Sequence, residues 1–109
     1  MNYKVEVTAK FKKHAKRLVK KFPSLKHELE VLVNSLEIEP KQGIPIISEC
    51  YKIRLFIASK GKGKSGGARI ITHIQVTKTT VYLLTIYDKS EQSNVSDNEI
   101  KELLSFIND

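Results

Sequence analysis

The chain has 109 residues, 40% of them hydrophobic and 28% charged, with a formal net charge of +7 and one cysteine. That length suits a single domain over residues 1–109 with a modest core and leaves no room for a second. The lone Cys50 excludes an internal disulfide, and no apolar run approaches the roughly 20 residues of a membrane span, so a cytoplasmic protein with no membrane partner is expected.

The opening residues carry no signal-peptide pattern. In residues 2–7, Tyr3, Val5 and Val7 alternate with Asn2, Lys4 and Glu6, which predicts a half-buried strand. Thr8 follows as a helix N-cap, and Phe11, Ala15, Leu18, Val19 and Phe22 then form one apolar stripe among seven Lys/Arg. Pro23 ends that helix and Ser24 is positioned to cap a second, whose stripe is Leu25, Leu29, Leu32, Val33 and Leu36. Two such helices with a short joint predict an antiparallel hairpin laid on a sheet. Glu37 to Gly43 reads as the exit loop, and Ile44-Pro45-Ile46-Ile47 as an apolar approach to the next strand.

Three further strands follow. Tyr51, Ile53, Leu55 and Ile57 alternate with Lys52, Arg54 and Phe56; Ile70, Thr72, Ile74 and Val76 alternate with Arg69, Ile71, His73 and Gln75. Residues 81–87 divide into Tyr82, Leu84 and Ile86 against Val81, Leu83, Thr85 and Tyr87. With the apolar sets toward the helices, Lys52, Arg54, Arg69 and His73 share the opposite, open face, and Tyr87 is a further candidate there. Ser96-Asp97-Asn98-Glu99 is a capping box, with Val95 and Ile100 as its hydrophobic staple, opening a last helix with the stripe Ile100, Leu103, Leu104 and Ile107. The fold class expected is α+β.

Charge is laid out in blocks. Residues 1–26 hold nine Lys/Arg against one Asp/Glu, residues 27–50 one against five, residues 51–78 seven against none, and residues 79–109 two against six. Faces of opposite sign and a polyanionic partner, nucleic acid first, are the natural inference. The loop Ser59-Lys60-Gly61-Lys62-Gly63-Lys64-Ser65-Gly66-Gly67 concentrates Lys60, Lys62 and Lys64 beside the basic strands, which suits phosphate contacts without sequence choice. Its G-x-G-x-x-G spacing is not a dinucleotide site and its Gly63-Lys64-Ser65 is not a Walker A end, because a strand rather than a helix follows. The histidines and the cysteine lack metal-site spacing, and no cofactor is called for.

The segments Tyr51-Lys52-Ile53-Arg54-Leu55, Ser59 to Arg69, and Val81 to Glu91 (ending Tyr87-Asp88-Lys89-Ser90-Glu91), in the order strand, helical hairpin, three strands, helix, resemble the RelE/ParE toxin superfamily of type II toxin–antitoxin systems, in a RelE/HigB-like branch. The resemblance implies a RelE-like fold with an N-terminal strand, an antiparallel helical hairpin, three further antiparallel strands and a C-terminal helix. It implies a ribosome-dependent mRNA endonuclease, or mRNA interferase, that inhibits translation. Its partners would be ribosome and mRNA, and a cognate antitoxin that holds it inactive in a hetero-oligomer. The family's basic concave face maps onto Lys52, Arg54 and Arg69, with Lys89 after the last strand. The C-terminal tyrosine of some members has no counterpart around Asn94 to Asp97, and Tyr87 is the nearest substitute.

RNA is cut when its own 2′-OH attacks the adjacent phosphate, so the protein need supply only proton transfer and charge stabilisation. Lys52, crowded by like charges, is the candidate proton acceptor. Arg54 and Arg69 would grip the phosphorane through forked hydrogen bonds. His73 or Lys89 would donate the proton, and Tyr87 would stack on a base. The competing readings are a ParE-like gyrase poison and a non-catalytic basic nucleic-acid-binding module.

Overall fold

The computed structural model describes residues 2–60 and 67–107; Lys62 and Lys64, expected to bind RNA, lie outside the described residues. The elements are β1 (Lys4–Val7), α1 (Ala9–Lys21), α2 (Leu25–Ile38), β2 (Ile44–Pro45), β3 (Cys50–Leu55), β4 (Ala68–Gln75), β5 (Thr80–Asp88) and α3 (Asp97–Leu104). The five strands form one sheet in the order β1-β5-β4-β3-β2. β1 runs parallel to β5, and every other pairing is antiparallel. Among the described residues no helix is long and apolar enough to cross a membrane.

Thr8 turns the chain from strand to helix. Its backbone N–H donates to the Leu83 carbonyl at 3.2 Å, its hydroxyl donates to the Leu84 carbonyl at 3.0 Å, and the same oxygen accepts the Phe11 N–H at 3.1 Å. One side chain thus caps α1 and fastens it to β5. The predicted stripe of α1 is buried through Phe11, Ala15, Leu18 and Phe22, and that of α2 through Leu25, Leu32 and Leu36. Full burial of each of these leucines contributes about 2 kcal/mol.

Three local expectations change. Ser24 does not cap α2 with its side chain, because the short joint holds it in helical backbone (φ −70°, ψ −17°). Its hydroxyl turns outward instead, accepts the Ser59 N–H at 2.8 Å and lies 3.2 Å from Glu28 Oε2. The second helix runs to Ile38, into the segment read as exit loop, where the Glu37 carbonyl accepts the Tyr3 N–H at 2.8 Å. The apolar approach to β3 contains a two-residue edge strand, β2, joined to β3 by a tight turn with Ser48 and Glu49 at φ +57° and +58°.

The β5 strand departs from simple alternation. A register shift in the β4–β5 pairing sets Ile71 opposite Thr85 but Thr72 opposite Leu83, leaving Leu84 as an extra residue. Such a bulge reverses side-chain parity across it. Val81, Leu83 and Ile86 therefore face the helical hairpin, while Tyr82, Leu84 and Tyr87 face the other way. The opposite face is not open either. The last helix lies on its centre, where Ile100 and Leu103 form a second core with Cys50, Ile71, Leu84 and Tyr87. Both halves of the predicted capping box start that helix, Ser96 Oγ accepting the Glu99 N–H at 3.2 Å and Glu99 accepting the Ser96 N–H at 2.9 Å.

Candidate nucleic-acid interface

The pairing of β3, β4 and β5 sets the basic residues in rows. Arg54 stands opposite Arg69, and Arg69 opposite Tyr87; the next row is Lys52, Ile71 and Thr85. Directly opposed residues of antiparallel strands share a face with Cα atoms roughly 5 Å apart. Arg54, Arg69 and Tyr87 therefore form one line across the sheet on the α3 side, with Lys52 one row along.

The four differ in access. Arg54 is exposed, whereas Arg69 is only 7% exposed and donates from Nη1 to the Ala68 carbonyl at 3.2 Å. Lys52 is half-buried at the rim of a cavity of about 360 Å³ lined also by Ile46, Ile71, Asn94 and Ile100, and its Nζ donates to Asn94 Oδ1 at 3.3 Å. Tyr87 is 6% exposed, and its hydroxyl has no hydrogen-bond partner among the described residues. Burial raises that hydroxyl above its ordinary value, with Arg69 pulling it partly back, so it is protonated at neutral pH. A covered ring cannot offer a face to a base, which removes the stacking role expected of Tyr87 in this conformation.

Two expected members stand elsewhere. His73 is not beside Arg69: it is four residues along β4, roughly 13 Å away. There Nδ1 lies 3.0 Å from the Ser48 carbonyl and the ring stacks on Tyr82. Lys60 does not project toward a ligand. Its Nζ is 2.6 Å from Asp88 Oδ1 in an ion pair whose side chains are 18% and 0% exposed. Burial alone would raise the Asp88 carboxyl, but hydrogen bonds from Lys60 Nζ and from the Ser90 N–H and hydroxyl outweigh it and hold it below its ordinary value. Lys89, after β5, donates to the Ser93 carbonyl at 3.1 Å.

A residue that parity placed on this face but that was given no role is Phe56. It is 66% exposed, two positions beyond Arg54, and the signal for it was already present in an aromatic alternating with Lys52 and Arg54. Cys50 shares the face but is buried, which pushes its thiol up to about 12 and leaves it unreactive. Among the described residues no cluster of His, Cys, Asp or Glu could hold a metal ion.

The arrangement presents an exposed guanidinium beside a recessed one with a lysine one row away, a donor set of the kind that suits a phosphate. Residues 3–108 match the family described as the RelE toxin of the RelE/RelB toxin–antitoxin system. Among solved structures, the fold is similar to a double arginine-to-alanine variant of the E. coli toxin RelE in the free state, with a TM-score of 0.62 and 16% identity, covering 97% of this chain and 94% of that one. It is also similar to the isolated E. coli RelE toxin, with a TM-score of 0.58 and 15% identity, covering 96% of this chain and 99% of that one.

Proposed function

Because the chain belongs to the RelE toxin family, we propose that it is the toxin of a type II toxin–antitoxin system, that it cleaves mRNA on the ribosome, and that a cognate antitoxin neutralises it in the cytoplasm. The observation that carries the nuclease reading is the row Arg54–Arg69–Tyr87 with Lys52 beside it. Two arginines opposed on neighbouring strands offer forked donors to one group, and a phosphodiester is an anion that suits such a pair.

In this reading the 2′-OH of one nucleotide attacks the adjacent phosphorus, and the 5′-oxygen of the next nucleotide leaves. Lys52 takes the 2′-OH proton as a neutral amine, having first given up its own proton to solvent and exchanged its bond to Asn94 for the substrate. Arg54 and Arg69 hold the non-bridging oxygens as their charge grows. Tyr87, protonated and opposite Arg69 in the row, backs that side chain by packing and takes no part in proton transfer. Lys89 is the remaining candidate to protonate the leaving oxygen, since His73 is tied to the far end of the sheet. No member of this set is a paired acid and base of matched strength. Efficient cutting therefore depends on a surface that orients the RNA, the role assigned to the ribosome.

The small exposure of Arg69 fits a second reading, a basic module that binds without cutting. Inducing the chain in bacteria and mapping the 5′ ends of translated messages separates the possibilities. New ends inside codons support the nuclease, DNA damage with intact messages indicates a ParE-like gyrase poison, and harmless expression indicates the binding module.

A further inference from the structure

We infer that Phe56 is a stacking platform for an RNA base, placed next to the phosphate grip of Arg54. This inference rests on the RNA reading above and adds a ligand contact to it. Leu55 and Ile57, the residues on either side, both pack on the hairpin core, so Phe56 between them is directed away from it, and its ring is 66% exposed. It follows Arg54 by two residues, about 7 Å of extended chain, within the reach of a single nucleotide.

The backbone around Phe56 is pinned. Ile57 is buried, the Ala58 N–H donates to Glu28 Oε2 at 2.8 Å, and the Ser59 N–H donates to Ser24 Oγ at 2.8 Å. On the other side Gly67, at φ +81°, passes so close that a Cβ there would meet the Leu55 carbonyl oxygen at 2.5 Å and the Phe56 Cα at 3.5 Å. An aromatic ring on a fixed backbone, beside a cation and open to solvent, is what sequence-tolerant stacking of single-stranded bases requires. The other aromatic residues of the sheet are committed: Tyr87 is buried, Tyr82 stacks on His73, and Tyr51 packs on the hairpin core.

The chain contains no tryptophan, so Phe56→Trp introduces a single reporter. The probes are a 2′-O-methyl hexanucleotide, which cannot be cut, and an abasic ribose-phosphate oligomer of the same length. The inference predicts that the hexanucleotide quenches the new fluorescence and the abasic oligomer does not. It predicts that Phe56→Ala and Phe56→Leu, melting like the parent, bind the hexanucleotide roughly tenfold more weakly and the abasic oligomer unchanged. Arg54→Ala should weaken both. Unquenched fluorescence with full affinity in Phe56→Ala overturns the inference, while the loss in Arg54→Ala would leave the RNA reading standing. Failure of the parent chain to bind either oligomer overturns both.

Discussion

Arg54 and Arg69 stand directly opposite each other on adjacent antiparallel strands, one guanidinium exposed and the other almost covered. Arg54, on the exposed side of the pair, should be worth more to a ligand than to the fold. Arg54→Ala should therefore change the unfolding free energy by less than about 0.5 kcal/mol. Its RNA affinity should fall, and the slope of log affinity against log salt should shrink by about 0.7, one phosphate contact on a single strand. Denaturant melts and binding titrations at several salt concentrations check both. Arg69→Ala should also relieve toxicity on induction, and unchanged toxicity would remove Arg69 from the site.

Lys60 and Asp88 make the opposite prediction. Asp88 is fully buried and Lys60 half-buried, so Lys60→Met, which strands the carboxylate, should lower stability by about 2 kcal/mol while leaving RNA affinity per folded molecule unchanged. Were Lys60 an RNA contact, affinity would fall and stability would hold. Asp88 is held below its ordinary value in the folded state, so its contribution is fully present above the unfolded value near 4 and is lost as pH falls through the lower, folded one. Urea melts from pH 6 downward should show that loss, and Asp88→Asn should flatten it.

Thr8 joins the first helix to β5, so Thr8→Ala should cost about 1–2 kcal/mol, and Thr8→Ser, which keeps the hydroxyl, much less. Chemical denaturation of the two variants measures the difference.

The turn from β2 to β3 holds Ser48 and Glu49 both in the left-handed region, closed by the Cys50 N–H donating to the Ile47 carbonyl at 3.1 Å. Asn and Gly suit these two positions better. The double substitution Ser48→Asn, Glu49→Gly should stabilise the protein by roughly 0.5–1 kcal/mol, read as a rise in melting temperature.

Most elements were legible because each rests on a local rule. The stripes of α1 and α2, the Thr8 cap and the Ser96–Glu99 box follow from spacing and from a few polar atoms close in sequence. The faces of β3 and β4 followed from alternation. The face of β5 did not, because one extra residue at Leu84 reverses the pattern and nothing in Tyr82 to Tyr87 signals it. The site was half legible for a similar reason. Register put Arg54 and Arg69 opposite one another, as parity within β3 and β4 suggested, and added Tyr87 from β5. What parity could not reveal were the tertiary partners: Asn94 on Lys52, Asp88 on Lys60, the Ser48 carbonyl on His73, and the last helix over the middle of the face. The Tyr87-Asp88-Lys89-Ser90-Glu91 segment reads in retrospect as fastening, with Asp88 holding Lys60 and Glu91 pairing with Arg17 and Lys21.

The most direct test uses the purified chain, ribosomes programmed with a defined message, and primer extension to locate cuts. The parent chain should cut within codons on the ribosome and little on free RNA, and Arg54→Ala should not cut despite its intact fold. Equal cleavage by Arg54→Ala, or a message left whole by the parent chain on the ribosome, would contradict the nuclease reading.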